Sequence, residues 1–300
     1  MSRTSKRNIY GKVEKLATEA RNTLCALLQA ARVEDITKPS RYLAVVCSDG
    51  DNMGKWLSGA KAPDILSTVH PHLYPDVKRM LPDVHDMRRP LSPFLHNSIS
   101  ASLRDFSTKL VRYVIEERHA GKLVYAGGDD FVALLPKEEA IPAARELRLI
   151  YSGLPLGESS SNLKSNNGFV KWRKEILRMM GETATLSTGI AIVHHSHSLT
   201  DAIHKAHQDM LEGQAKKRKG KNALAIASVR RSGEMRIAVS PWLVDGQAQG
   251  SPIDVLIEFQ ELFAQEKVSP RFVYALGGEV ANGLKAVDEN LISSRVRHLL

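Results

Sequence analysis

Two acidic motifs, each attached to apolar runs of strand length, constrain the fold more than any other feature. The first motif, Asp49-Gly50-Asp51, follows the apolar run 42–47. The second, Gly127-Gly128-Asp129-Asp130, lies between the apolar runs 123–126 and 131–135. A short apolar run beside glycine and aspartate is typical of a buried strand that leads into a turn. The chain is therefore expected to place both acidic motifs at the ends of strands.

Composition narrows the class of protein. The 300 residues are 43% hydrophobic and 25% charged, which is typical of one large globular domain or two smaller ones. A formal net charge of +9 favours polyanionic partners such as RNA, DNA or nucleotides. The two cysteines form no C-x-x-C pair, so no zinc ribbon is encoded. No apolar run approaches the ~20 residues of a membrane helix, and we expect a cytoplasmic protein without membrane contact.

The order of predicted elements indicates an α+β fold. Apolar residues spaced by three or four predict helices at 95–118, 137–151 and 199–216. Apolar runs predict further strands at 184–193 and 222–230. Residues 41–193 therefore follow the order β-α-β-β-α-β of a ferredoxin-like fold.

Two stretches interrupt this order. Prolines recur through residues 58–95, which are expected to be irregular. Residues 153–168 are rich in glycine, serine and asparagine and are predicted to form a polar loop, followed by a short helix at 169–180.

Three domains are expected. Residues 1–38 contain an amphipathic helix, 39–235 contain both acidic motifs, and 236–300 form a helical C-terminal domain. Within that last domain, 235–245 has a weak strand pattern, and 252–265, 270–284 and 286–300 have helical patterns. Residues 295–300 resemble the interior of a helix rather than a capped end, so we expect the chain to be truncated there.

The predicted topology brings the two acidic motifs together. In a split βαβ unit the carboxyl end of the first strand lies beside the hairpin that joins the second and third. Asp49 occupies that end, and Asp129 and Asp130 lie in the hairpin. Carboxylates this close repel one another unless a cation neutralises them, and Mg²⁺ (or Mn²⁺) prefers such oxygen ligands. This is the layout of nucleotide-polymerising palm domains, in which two metal ions promote attack of a 3′-hydroxyl on an α-phosphate.

Alternative interpretations remain for each motif. The GGDD sequence is also compatible with a tight hairpin turn and nothing more. The basic segment 215–222 contains lysines that could hold a triphosphate, and it is also compatible with a solvated loop.

With these motifs the chain resembles the large subunit of type III CRISPR effector complexes, specifically the Cmr-type GGDD protein, over residues 41–235. The segments that carry the resemblance are 49–54, 96–103, 123–130, 187–195 and 220–224. The resemblance implies a GGDEF-like palm that converts ATP into cyclic oligoadenylates for antiviral defence when the complex engages target RNA. It also implies the other effector subunits, guide RNA and target RNA as partners.

The resemblance also implies a role for individual residues. Asp49, Asp129 and Asp130 would be the catalytic metal ligands. The implied nucleotide-binding residues are Gly50, Asp51, Gly127, Gly128, His96, Lys216, Lys217 and Lys221. For His96, a helix-capping or packing role is an equal alternative. Members of that family are much longer than this chain, and many carry an N-terminal HD nuclease that these residues do not supply.

Two other functions remain open. In a diguanylate-cyclase-like enzyme that uses GTP, Phe131 would complete a signature one residue different from that family's. Against it, Met53-Gly54 stands where those cyclases favour an aromatic residue and a lysine, and the insertion 58–95 is foreign to them. The second alternative is a non-catalytic scaffold of an RNA–protein complex, whose basic surface would contact RNA phosphates.

Overall fold

The computed structural model describes most of the chain, and compactness divides it into two units, 1–41 and 42–300. The described residues are 15, 16, 18–23, 26, 40–84, 87–156, 163–243, 251–269 and 271. In the first unit, those between 15 and 26 are helical and exposed. They fall within the predicted amphipathic helix, and the rest of that prediction lies outside the described residues.

Nine strands in the described part of the second unit form two sheets. They are β1 (Tyr42–Gly50), β2 (Lys122–Gly127), β3 (Asp130–Pro136), β4 (Leu163–Asn166), β5 (Phe169–Trp172), β6 (Glu175–Arg178), β7 (Leu186–His194), β8 (Ala223–Val229) and β9 (Met235–Pro241). The large sheet has the order β2-β3-β1-β7-β8-β9, and the small sheet has the order β4-β5-β6.

The pairing within the large sheet confirms the predicted ferredoxin-like α+β fold. β1 is antiparallel to both β3 and β7, and β2 is antiparallel to β3. β1 and β2 are therefore parallel, as a βαβ crossover requires. β8 adds in parallel to β7, and β9 adds antiparallel to β8.

Six α-helices accompany these strands in the described residues. They are α1 (Met53–Leu57), α2 (Tyr74–Met80), α3 (Pro93–Asp105), α4 (Ala140–Ser152), α5 (Leu199–His204) and α6 (Pro252–Ala264). α3 continues as π-helical turns to Arg118, and α5 does so to Arg218. The Ser92 hydroxyl begins α3 by accepting a hydrogen bond from the Leu95 N–H at 3.2 Å. In the described residues, no helix has the length and apolar character needed to cross a membrane.

Alternate residues of β1 are buried in different hydrophobic clusters. Ala44 and Val46 pack with Phe106 and Leu147, whereas Val45 and Cys47 belong to a second cluster with Leu211. Successive side chains of a strand point to opposite faces of its sheet. Helices therefore cover both faces of the large sheet at its centre, which is why the β1 sequence is almost wholly apolar.

The helix predicted at 169–180 is wrong. This segment forms the β5–β6 hairpin of the small sheet, and β4 lies within the predicted polar loop. The physical reason is the period of the sequence: Phe169 and Lys171 are exposed, whereas Val170 is fully buried. Alternation over only four residues per strand was too short to outweigh the helical interpretation.

The boundary predicted after residue 235 falls at the start of β9, which belongs to the large sheet. The residues that follow also pack on this sheet, since Trp242 is fully buried and Ile253 joins the main hydrophobic cluster. Arg145 of α4 donates two hydrogen bonds to Asp254 of α6, at 2.8 and 3.1 Å. The strand at 235–241 and the helix at 252–264 are therefore part of this fold, and the helices predicted beyond 270 lie outside the described residues.

We expect His119 to make a pH-dependent contribution to the stability of the fold. This residue directly follows Arg118, the last residue of the π-helical continuation of α3. Its Nδ1 lies 2.6 Å from Glu139 and its Nε2 lies 3.1 Å from Glu146. Burial alone would lower the His119 pKa, but the hydrogen bonds to the two glutamates outweigh burial and raise it. A raised folded-state pKa stabilises the fold below the unfolded value of 6.5, and this contribution is lost as pH rises through the folded-state pKa.

Urea unfolding at about pH 6 and about pH 9 measures this contribution. The stability advantage of the wild-type chain over His119→Gln should be larger at the lower pH, because Gln can hydrogen-bond but does not titrate. An equal advantage at both pH values would contradict the charged His119 interaction.

Candidate active site

The structure brings the ends of the two acidic motifs to one edge of the large sheet. Ser48 of β1 pairs with Phe131 of β3, so Asp49, the next residue of β1, lies at the level of the β2–β3 turn. Gly127 pairs with Asp130 across that turn, and Gly128 adopts a positive φ of 67°. That conformation favours glycine, as the hairpin interpretation expected.

Burial and the nearby Asp49 charge raise the proton affinity of the two hairpin carboxylates. Burial and then the Asp49 charge raise the pKa of Asp129 to about 6. Burial and the Asp49 charge also raise the pKa of Asp130, and a hydrogen bond from Tyr125 and the charge of His207 partly oppose that shift. The site thus concentrates negative charge that a cation would stabilise. Neither Tyr125 nor His207 is among the predicted site residues.

One cation of the chain already contacts this charge. The Lys216 ammonium is hydrogen-bonded to Asp49 and, at 2.8 Å, to Glu212. Burial alone would lower the Lys216 pKa, but these two hydrogen bonds outweigh it and raise the pKa. Lys216 therefore stays charged and neutralises Asp49. Glu212 was not among the predicted site residues.

The donor set suits a hard divalent ion, although the described residues do not form a closed metal cage. Among those residues, no three His, Cys, Asp or Glu side chains are grouped closely enough to hold a metal. Carboxylates are the ligands that Mg²⁺ prefers, and those of Asp129 and Asp130 have raised pKa values that bound positive charge would lower. The residues fit Mg²⁺ or Mn²⁺ if Asp49 exchanges the Lys216 ammonium for the ion.

Gly50 allows the hairpin and α4 to lie against the end of β1. A Cβ atom at Gly50 would lie 2.6 Å from the Tyr151 hydroxyl and 2.7 Å from Asp129 Oδ2. Tyr151 is 1% exposed, and burial together with the nearby Asp129 charge raises its pKa well above 10. The hydroxyl beside the acids therefore stays neutral. In the sequence, Tyr151 is recognisable only as the end of the predicted helix 137–151.

Asp51, a predicted nucleotide contact, lies inside the fold. Its side chain is 1% exposed and accepts three hydrogen bonds. The donors are the Ser187 hydroxyl at 2.7 Å, the Thr185 hydroxyl at 2.8 Å and the Asn222 N–H at 2.9 Å. All three donors belong to the chain itself, so the contact of Asp51 with a nucleotide stays a prediction. In the structure, the Asp51 carboxylate fixes the loop after β1 to β7 and to the segment that carries the lysines.

A buried arginine extends this internal network to α4. Arg148 is fully buried, and it donates to Asn222 Oδ1 at 2.9 Å and to the Ser152 hydroxyl. Burial lowers the Arg148 pKa to about 10, so the side chain is still charged at neutral pH. Asn222 therefore joins Arg148 to Asp51. In the sequence, the signal for this network is an arginine among the mostly apolar residues of α4.

The remaining predicted nucleotide-binding residues differ in how close they lie to the acids. Lys221 lies near the acidic loop, where its ammonium donates to Asn52 Oδ1 at 2.7 Å. A Cβ at Gly127 would overlap the Tyr125 hydroxyl, whereas the space around Gly128 is open. His96 and Lys217 are exposed, and no hydrogen bond or ion pair in the described part of the chain joins either to the acids.

A ferredoxin-like sheet with an aspartate at the end of its first strand and a GGDD hairpin beside it defines a palm domain with a nucleotidyltransferase-like fold. Residues 42–225 match the family model of Cas10/Cmr2, second palm domain. The chain therefore belongs to the Cas10/Cmr2 family, the family of large subunits that the sequence motifs resemble.

Individual relatives agree with this assignment. The chain is 33% identical over 272 residues to the CRISPR system Cmr subunit Cmr2 of Pyrococcus furiosus, covering 90% of the chain and 27% of the relative. It is 29% identical over 127 residues to the Saccharolobus solfataricus Cmr2 subunit, covering 41% and 12%. The chain thus spans only about a quarter of the length of the first relative.

Solved structures share the fold. A chain of the type III-B Cmr-beta complex bound to cognate target RNA aligns with a TM-score of 0.66 at 18% identity, covering 91% of this chain and 36% of that chain. The apo state of Cmr-beta aligns with a TM-score of 0.62, also at 18% identity, covering 92% and 35%. At this identity the likeness concerns the fold.

Proposed function

We propose that this palm polymerises and cyclises ATP into cyclic oligoadenylates by two-metal catalysis when target RNA is bound. The observation that carries the proposal is the convergence of Asp49 with Asp129 and Asp130 at the end of β1. Membership of the Cas10/Cmr2 family supports it. The relatives are named as Cmr subunits and one solved relative is bound to target RNA, so the proposed partners are other type III subunits, guide RNA and target RNA.

In this proposal Asp49, Asp129 and Asp130 hold Mg²⁺ or Mn²⁺. When bound, the ions would supply the positive charge that acidifies the 3′-hydroxyl nucleophile and stabilises the pyrophosphate leaving group. The open space at Gly128 admits the nucleotide backbone. Lys216 and Lys221 provide two ammonium groups for the triphosphate. Each ammonium would contact a phosphate as a point charge.

Lys216 also offers a way to couple nucleotide binding to assembly of the site. Its ammonium bonds Asp49 and Glu212, and its side chain is only 12% exposed. A triphosphate that draws this ammonium away would free the Asp49 carboxylate for the ion. The nucleotide would then help to assemble the site that acts on it.

Incubation with ATP or GTP separately, in the presence of Mg²⁺ and with or without single-stranded RNA, tests the proposal. Mass spectrometry of the products should show cyclic oligoadenylates from ATP and no cyclic product from GTP. A cyclic dinucleotide formed from GTP alone would instead support the diguanylate-cyclase-like alternative. EDTA should abolish product formation if the carboxylates act through a divalent ion.

Two observations favour the non-catalytic scaffold. Lys216 already neutralises Asp49, and the described residues contain no preformed three-ligand metal group. A scaffold would need no exchange of Lys216 for an ion. Substitution of the hairpin aspartates, described in the Discussion, separates this alternative from the enzyme.

A further inference from the structure

The small sheet has one buried face and one exposed face. Leu163, Val170 and Leu177 are buried on the inner side, each in a different strand. The exposed side chains alternate with them, as the pleat of a strand requires. We call this set the outer face; its members are Lys164, Asn166, Phe169, Lys171, Ile176 and Arg178.

The strand register arranges the outer face in two rows. Lys164 pairs with Lys171, which pairs with Ile176. Asn166 pairs with Phe169, which pairs with Arg178. Directly opposite residues in antiparallel strands have Cβ atoms about 5 Å apart. The two rows therefore place cationic, apolar and amide groups within reach of one extended ligand.

The outer face contains three cations and no acid. Lys164, Lys171 and Arg178 form no ion pair within the described residues. The acid of β6, Glu175, lies on the other side of the pleat and is bonded to Lys109 at 2.7 Å. A face with unbalanced positive charge attracts a polyanionic ligand. It binds a protein surface that has no acidic groups less well.

Two apolar side chains lie among these cations. Phe169 is 48% exposed and Ile176 is 73% exposed. A flat aromatic ring on a β-sheet, flanked by basic side chains, is the arrangement on which single-stranded bases stack while their phosphates contact the cations. The chemistry of the face therefore fits an unpaired strand better than a duplex, whose bases are not available for stacking.

The positive charge continues from the outer face into a neighbouring cavity. Phe169 and Arg178 also line a cavity of about 800 Å³, together with Lys55, Lys61 and Arg88. Asp64 is the one acidic residue among the lining residues, against four cations, so the net charge of the lining is positive. The cavity thus extends the cationic surface beyond the small sheet.

We propose that the outer face binds single-stranded RNA. Phe169 stacks on a base, the three cations contact phosphates, and the Asn166 amide is placed in the same row to hydrogen-bond a 2′-hydroxyl. That last group is absent from DNA, so the amide favours RNA over DNA. This surface is separate from the acidic site, since none of Asp49, Asp129 and Asp130 lies on the small sheet or lines the cavity.

Fluorescence anisotropy with a fluorescein-labelled oligouridylate of about 12 nucleotides tests the proposal on the full chain. The triple variant Lys164→Glu, Lys171→Glu, Arg178→Glu should bind at least about ten-fold more weakly. The slope of log affinity against log salt should fall by about 2, since each single-strand phosphate contact contributes about 0.7. A matched triple charge reversal at Arg230, Arg231 and Arg236, which are exposed on the β8–β9 hairpin, should change affinity far less.

A second pair of variants tests stacking. Phe169→Leu keeps an apolar side chain but removes the ring, and it should weaken binding by about five-fold or more. Ile176→Ala should have a smaller effect, because isoleucine cannot stack as a ring does. Equal losses in these two variants would overturn the assignment of stacking to Phe169.

Three further outcomes would overturn the proposal. Equal losses in the two charge-reversal variants would reduce RNA binding to the net charge of the chain. Unchanged affinity in the outer-face variant would show that the face does not bind RNA and would favour a protein partner instead. Equal affinity for oligouridylate and its deoxy counterpart would remove the preference for RNA. The double variant Asp129→Asn, Asp130→Asn should bind RNA with wild-type affinity. A failure of the proposed catalysis can therefore be distinguished from a failure of RNA binding at the outer face.

Discussion

Replacement of Asp129 and Asp130 together by Asn should lower ATP turnover by about 10³-fold or more and leave the fold and complex assembly intact. The substitution removes two of the three proposed metal ligands while keeping the size of each side chain. Bound metal supplies several kcal/mol of transition-state stabilisation, and each ~1.36 kcal/mol is a factor of ten in rate. Product formation from ATP and thermal unfolding of the same preparation provide the two measurements.

The stability measurement has an expected direction of its own. Burial and the Asp49 charge raise the pKa of both aspartates, so the folded protein holds their negative charge at a cost. Removal of that charge should leave the melting temperature unchanged or raise it. A site that gains stability as it loses turnover is typical of catalytic carboxylates held in an unfavourable environment.

Asp209→Asn is the matched control. Asp209 is half-exposed and lies 3.7 Å from Lys205 on the π-helical continuation of α5. This variant should retain both turnover and stability. If the double variant turned over ATP at the wild-type rate, the hairpin would be only a turn. If the wild-type chain itself showed no metal-dependent turnover in the assembled complex, the scaffold interpretation would stand.

The convergence of the acids was predictable because it depends on topology rather than on side-chain packing. Apolar runs on both sides of each motif fix the strands, and a right-handed crossover fixes which ends meet. The register of Ser48 with Phe131 then follows from the position of each motif next to its own apolar run. No knowledge of helix rotation is needed to place Asp49 beside Asp130.

The surroundings of the acids were not predictable for the opposite reason. Asp49 and Asp51 look alike in the sequence, yet one is partly exposed and the other is buried under three donors. Their difference arises because β1 ends at Gly50 and the chain then turns inward against β7. Tyr151 and Arg148 likewise depend on how α4 is rotated against the sheet, which apolar periodicity defines only to within a face.

The edge strand β9 and the small sheet show a further limit of structure prediction from the sequence. β9 has a weak strand pattern and four consecutive exposed residues, so its pairing with β8 was not recognised as part of the large sheet. The small sheet has strands of only four residues, in which a period of two can hardly be distinguished from a helical period. In both cases tertiary pairing decided what the local sequence left open.

Gly50→Ala should lower turnover by about 10²-fold and destabilise the fold by about 1–3 kcal/mol, the usual cost of overpacking. The added methyl would lie 2.6 Å from the Tyr151 hydroxyl, 2.7 Å from Asp129 Oδ2 and 2.8 Å from Asp129 Cβ. A rotation of the carboxylate relieves only the second contact, because Cβ is fixed to the backbone of the hairpin turn. The hairpin itself must therefore move away from Asp49.

Addition of Tyr151→Phe to Gly50→Ala separates packing from catalysis. Loss of the hydroxyl removes the closest of the three contacts, so part of the lost stability should return. Turnover should stay low, because the contact with Asp129 Cβ is unchanged. Gly54→Ala is the spatial control: nothing lies within 4 Å of a Cβ there, and in α1 alanine should be neutral or stabilising. Full recovery of turnover in the double variant would show that Tyr151, and not the position of Asp129, limits the site.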